Sequence, residues 1–236
     1  MRRRNVPKRT AGLLLAAGLV YFGLAYLIAP EFWSYRDHGL DLLPEEMRTT
    51  TVQGIPGDPI NVGLVGSRAD LLRAFGAAEW NAADTITWRS SLEIGESVLF
   101  DRPYADAPVS TLLFEGRRQD LAFEKPVGRS ADQRHHVRFW LVTAESDGAR
   151  PLWLGAASFD RGVGFSHDTG QITHHIGPDI DAERDFLIGE LTRADMLVSS
   201  DSFEGIGPTR SGRNGEGDPY FTDGMVRIGI LQRTTR

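Results

Sequence analysis

The chain of 236 residues contains no cysteine. That absence excludes a disulfide scaffold, a thiolate zinc site, an iron–sulfur cluster and a cysteine nucleophile. Short catalytic signatures are missing as well. There is no His-Glu-x-x-His and no His-x-His to fix metal ligands at close spacing, and Ser158 does not sit in a Gly-x-Ser-x-Gly elbow. Ser166, His167 and Asp168 are consecutive, and neighbours in one extended segment cannot adopt the geometry of a catalytic triad. The glycine-rich stretch from Gly205 to Gly224 has no Walker lysine and no strand–helix context, so nucleotide binding is unsupported. Basic charge is also scarce. The chain carries 26 Lys and Arg against 32 Asp and Glu, a net charge of −6. Five of the basic residues precede Thr10, so residues 30–236 hold 21 basic against 32 acidic side chains. Nucleic-acid binding rests on basic surface, and so acidic a body argues against it.

What is present is an ordinary globular composition, 41% hydrophobic and 25% charged, behind one long apolar run. Thr10–Ala29 (TAGLLLAAGLVYFGLAYLIA) has 20 residues without a charge. As an α-helix it would reach roughly 30 Å, the depth of a bilayer's hydrocarbon core. Arg2, Arg3, Arg4, Lys8 and Arg9 precede it, which by the positive-inside rule sets the N-terminus in the cytoplasm. Tyr21, Tyr26, Phe32 and Trp33 suit the aromatic belt at the far interface. The competing reading is a cleaved secretory signal, but the run is longer than a typical apolar region and ends without a small-x-small cleavage pattern. The expected layout is a cytoplasmic tail at 1–9, a membrane helix at 10–29, a stalk or irregular segment at 30–58 and an extracytoplasmic domain at 59–236.

Within that domain, Ile60–Val65 alternates as a strand does. Ser67 and Asp70 stand at capping-box spacing before a helix over 68–79, with Leu71, Phe75 and Ala78 on one face. Strands are expected at Val109–Phe114, Leu121–Glu124, His135–Thr143, Leu152–Phe159, Gly170–Ile176 and Met225–Leu231. A second helix follows Pro178 as far as Arg193, its first turns rich in acid. Phe159-Asp160-Arg161-Gly162 reads as a turn held by an Asp–Arg pair, and 203–224 as a loop. Helices and antiparallel strands without a regular βαβ rhythm make the fold class α+β, with a mixed, mainly antiparallel sheet.

The strings PVSTLLFEGRRQDLAFEK (108–125), RHHVRFW (134–140), WLGAASFDRGVGFS (153–166) and TGQITHHIGPDIDAERD (169–185) resemble the LssY C-terminal domain family. Residues 61–87 are similar to that family's opening segment, and the likeness covers about residues 60–193. Longer members carry membrane-embedded segments ahead of this domain, some resembling lipid phosphatases. This chain has neither the Ser-Gly-His triplet nor the Lys-x6-Arg-Pro string of such a site, so that chemistry does not carry over. The resemblance implies an architecture and assigns no activity.

Five of the six histidines, His135, His136, His167, His174 and His175, fall within 41 residues. On a strand, adjacent side chains point to opposite faces. His135 therefore sides with Val137 and Phe139, and His174 with Ile172 and Ile176. His136 sides with Arg134 and Arg138, and His175 with Thr173. If the strands pair, one histidine of each couplet meets the other on a shared face. His136 and His175, on the polar faces, are the leading metal ligands, with His135 and His174 as the other candidates. His167, Asp160 and Asp181 are the catalytic candidates that would complete the site with imidazole or carboxylate. The plainer reading makes one histidine of each couplet a buried hydrogen-bonding group and the other a surface group. Likewise Arg117, Arg118, Arg134, Arg138 and Arg161 either converge on an anion such as a lipid phosphate or pair with Asp120 and Glu124.

Two functional readings follow. In the first, the domain is a binding or accessory module at the cell envelope, its partners the bilayer and an envelope lipid or membrane protein, with no nucleic acid and no cofactor. In the second, it is a metal-assisted hydrolase-like enzyme with a divalent metal held in 134–185.

Overall fold

The computed structural model describes residues 8–29, 47–52, 54–83, 112–128, 133–144, 149–167, 170, 172–204 and 210–233. Two helices grow from the caps that the sequence supplies. Ser67 accepts from Asp70 N at 3.1 Å while Asp70 Oδ2 accepts from Ser67 N at 2.9 Å. This reciprocal capping box starts the helix Arg68–Ala77 (α2, counting the N-terminal helix as α1). Asp179 accepts from Ala182 N at 3.0 Å and starts Ile180–Arg193 (α3).

Both helices lie on one face of an eight-stranded sheet. In chain order the strands of the fold are β1 (Arg48–Thr50), β2 (Pro56–Pro59), β3 (Val62–Val65), β4 (Asn81–Ala82), β5 (Leu113–Phe114), β6 (Arg117–Arg118) and β7 (Leu121–Pro126). They continue as β8 (Arg134–Thr143), β9 (Leu152–Phe165), β10 (Ile172–Ile176), β11 (Leu197–Glu204), β12 (Ser211–Arg213), β13 (Pro219–Phe221) and β14 (Met225–Leu231). The large sheet runs β11-β14-β3-β9-β8-β7-β4, with β10 also paired to β9. Its β14–β3 pair is parallel and its other pairs are antiparallel. A four-stranded sheet, β2-β1-β5-β6, and the β12–β13 hairpin complete the described strands. The fold class is α+β.

The period-2 alternation of β8 and β9 divides two cores. Val137, Phe139 and Ala157 face the helices and pack with Phe75, Phe123, Leu187 and Leu191. Phe75 stacks on Phe123 with ring centroids 3.9 Å apart. Room for Phe139 comes from its cross-strand partner, Gly155, where a Cβ would approach the Phe139 ring to 2.6 Å. On the opposite face Trp140, Leu154 and Ala156 pack with Ile60, Leu112, Phe114 and Tyr220, supplied by the small sheet, its neighbouring segment and the hairpin.

Several expectations change. The stretch Phe159–Gly162 is not a turn, because β9 continues through it to Phe165. Gly162, expected in that turn, lies opposite His175 of β10, and Gly164 lies opposite Thr173. Residues 48–50 and 56–58, expected in a stalk or irregular segment, belong to strands of the small sheet, and 30–46 lie outside the described residues. The loop expected at 203–224 contains the end of β11 and the β12–β13 hairpin. Of the strand expected at Val109–Phe114, only Leu113–Phe114 is a described strand.

The N-terminal segment also departs from the expected single span. An α-helix (α1) covers Lys8–Gly23 and passes into a π-helical turn at Leu24–Ile28. Among the described residues no helix is long and apolar enough to cross a membrane. Gly12, Gly18 and Gly23 weaken an uninterrupted α-helical ladder. Tyr21 donates to Gly170 O at 2.9 Å and sets its ring against Phe165, which ties α1 to the β9–β10 connection.

Candidate functional site

The polar face of β8, β9 and β10 carries two neighbouring clusters. The inner one is sealed. His136 stands opposite Ser158, and Arg134 opposite Asp160, in the β8–β9 register. Arg138 NH1 lies 2.8 Å from His136 Nε2. A guanidinium only donates, so Nε2 is the acceptor and the imidazole proton sits on Nδ1. That Nδ1 is 3.2 Å from Asp160 Oδ1, though off the line of a good hydrogen bond. Asp160 Oδ2 accepts from Arg134 Nε at 2.8 Å, and Arg134 NH1 donates to Glu124 at 2.7 Å. Asp58 of β2 closes the cluster, accepting from Ser158 Oγ at 3.0 Å and from Arg138 NH1 at 3.3 Å.

Asp160, His136 and Ser158 thus have the connectivity of an acid–base–nucleophile series, with Ser158 Oγ 3.5 Å from His136 Nε2. The chemistry is blocked in three ways. The serine proton goes to Asp58, the imidazole lone pair is taken by Arg138, and the three side chains are only 1–3% exposed. The arrangement holds buried charge together and offers no surface to a substrate. Its electrostatics agree. Burial opposes ionisation of Asp160, but His136, then Arg134 and His174, hold its carboxyl far below the usual range. Burial lowers the pKa of Arg138 despite the nearby acids Asp58 and Asp160.

The outer cluster is open to solvent. His175 of β10 places Nδ1 2.7 Å from Asp218 Oδ1, and His167 Nε2 lies 3.7 Å from the same oxygen. Asp218 is wholly buried, whereas the His167 and Arg161 side chains are 58% and 51% exposed. Local chemistry aims each group. Asn214 Oδ1 accepts from the backbone N–H of Glu216 and of Asp218, at 3.0 and 2.9 Å, shaping the hairpin tip as an Asx turn. Asp218 Oδ2 accepts from Ile176 N at 3.0 Å, leaving Oδ1 toward the histidines. His167 N donates to Glu216 O at 2.9 Å. Burial pushes the Glu216 carboxyl up to about 7, against hydrogen bonds from Thr173 and Ser166 and with help from Asp58 and Asp218.

The remaining sequence candidates fall elsewhere. His135 lies on the helix side, its Nδ1 2.8 Å from Glu183 Oε2 and its ring stacked on Phe186 at 3.9 Å. His174 stands opposite Val163 and acts on Asp160 through its field. Asp181 accepts from Thr222 Oγ1 at 2.8 Å and from Arg184 NH1 at 3.1 Å, pinning α3 to the segment after β13. Arg134 and Arg138 are engaged by buried acids, and Arg117 donates to Leu141 O at 2.7 Å, so the arginines do not gather into one anion site.

The structure therefore joins His167 to His175 and places His136 with Asp160 in the inner cluster. Asp218, Glu216 and Asp58 were missed in the sequence. Asn214-Gly215-Glu216-Gly217-Asp218 carries a turn signal, but nothing in it reveals that Asp218 meets a histidine 43 positions away.

No curated protein and no solved structure matches the chain. A family model described as LssY C-terminus matches residues 40–226, which include both clusters and the strands β8, β9 and β10 that carry them, and the chain belongs to that family.

Proposed function

We propose that this protein is held at a membrane by its N-terminal apolar segment and that its LssY C-terminus domain is a binding or accessory module beside envelope lipids. The contact of Tyr21 with Gly170 and Phe165 carries this reading, because it ties the apolar helix to the domain. Leu13, Leu14, Leu19, Phe22, Leu27 and Ile28 are each more than half exposed, a density of apolar surface that water disfavours and lipid accommodates. The five preceding basic residues orient the N-terminus to the cytoplasm and the domain to the other side. The engagement of Ser158 Oγ by Asp58 and of His136 Nε2 by Arg138 supports a module over an enzyme that works through Ser158. A reporter enzyme active only outside the cytoplasm, fused after Arg236, tests the topology, with alkaline carbonate extraction testing the anchor. Activity in a pellet that resists extraction is expected. A silent fusion overturns the orientation, and release by carbonate overturns the anchor.

A second reading, a metal-assisted hydrolase-like enzyme, is favoured by one observation, the convergence of exposed His167 and partly buried His175 on the buried Asp218. Turnover of a phosphoester or carboxylic ester that disappears with His167→Ala would establish it. Failure across both ester classes, with and without added divalent metal, would leave the module reading alone.

A further inference from the structure

We infer that His167, His175 and Asp218 form a binding site for a divalent transition metal of the zinc class, with one coordination position open to solvent beside Arg161. The ligating atoms of the three residues all lie within 4.8 Å of one another. Tetrahedral zinc with bonds of about 2.0–2.1 Å places its ligands roughly 3.3 Å apart. The observed 2.7 Å between His175 and Asp218 and 3.7 Å between His167 and Asp218 bracket that spacing. Two imidazoles and one carboxylate are a donor set suited to zinc, and three protein ligands leave a fourth position for water or an anionic oxygen.

Charge points the same way. Asp218 is 0% exposed, and its described partners are His175 at 2.7 Å, one peptide N–H, and the more distant His167 at 3.7 Å and Arg161 at 4.0 Å. A buried carboxylate needs compensating positive charge. A cation in place of the proton between His175 and Asp218 supplies it.

The supporting shell is already built. Ile176 N fixes one carboxylate oxygen, Asn214 shapes the turn, and the backbone of His167 is tied to Glu216. Gly164 makes room for the ring, since a Cβ there would come within 2.5 Å of His175 Nε2. Such preorganisation is what a metal site requires of its surroundings. The site depends on neither functional reading, because a metal can present a ligand as well as activate water.

The test uses the full chain purified in detergent and freed of metal by chelation. Zn²⁺ is titrated by calorimetry and Co²⁺ by its visible ligand-field absorption. One equivalent of Zn²⁺ per chain and a tetrahedral-type Co²⁺ spectrum are expected. His167→Ala removes an exposed ligand, and Asp218→Asn keeps the volume of a buried one. Each should weaken binding by more than about tenfold, the loss that even an outer-shell change produces. Saturable binding lost in His167→Ala, but without ester turnover, sustains the site and sinks the hydrolase reading. Absence of Zn²⁺ binding by the unaltered protein overturns the inference, as does binding that His167→Ala leaves unchanged.

Discussion

Asp218 Oδ1 and His175 Nδ1 lie 2.7 Å apart, although 43 positions separate them in sequence. The pairing joins the tip of the β12–β13 hairpin to a strand at the edge of the large sheet. It holds because both groups gain from it, the imidazole a strong acceptor and the buried carboxylate a donor.

Gly164→Ala should displace the His175 ring, because the new methyl would lie 2.5 Å from Nε2. Zn²⁺ affinity is expected to fall by about tenfold or more, as for changes in the shell that orients a ligand, with thermal stability little altered. Unchanged Zn²⁺ affinity in calorimetry would show that the ring does not need its present place.

Asp160→Asn should cost about 3–5 kcal/mol in urea unfolding, since it leaves the buried Arg134 without one of its two anionic partners. A loss below about 1 kcal/mol would mean that Asp160 is not a principal counter-charge of the cluster.

The same residue sets an acid limit. Asp160 titrates near 3.8 when unperturbed and lower in the folded protein. Its ionised form therefore contributes fully to stability at neutral pH. That contribution is lost as pH falls below about 3.8, where the unfolded chain takes up the proton first. Unfolding free energies measured by circular dichroism from pH 7 to 3 should fall less steeply at the acid end in Asp160→Asn than in the unaltered protein. Identical slopes would contradict the assignment.

Ser158→Ala separates a sealed cluster from a working triad. The hydroxyl donates to Asp58, which also accepts from Arg138, so its loss should cost only about 1 kcal/mol. Any hydrolytic activity found for the protein should survive. Abolition of turnover in a folded Ser158→Ala variant would restore the serine as nucleophile.

His135→Ala should behave as a structural lesion. It strips the nearly buried Glu183 of an imidazole partner at 2.8 Å and removes the stack on Phe186. A loss of about 2–3 kcal/mol is expected for the buried group left unpaired, with Zn²⁺ stoichiometry unchanged. Loss of bound metal at constant stability would move the ligand set to the other histidine couplet.

Much was legible before the fold was known. The helix over 68–77 follows from Ser67 and Asp70, and the helix over 180–193 from the acidic first turns after Pro178, because such signals act within a turn or two of the chain. The opposite faces of His135 and His136 follow from the pleat alone. Their environments do not. Each face of β8 is covered by elements distant in sequence, so Glu183 reaches His135 and Asp58 reaches the Ser158–Arg138 side only after the sheet is assembled. Glycine shows the same division. Gly162 reads as part of a turn because glycine weakens a strand in isolation, yet β10 pairs across it, and two residues on the His175 ring occupies the place a side chain at Gly164 would take. Asp218 marks the limit. By itself the sequence determined the α+β class, the caps, the strand periodicity and the apolar N-terminal run, since all of these are written in nearest neighbours. Only the tertiary structure decided which acid each histidine faces, because that choice depends on the long-range pairing of strands and on which charges the fold must bury together.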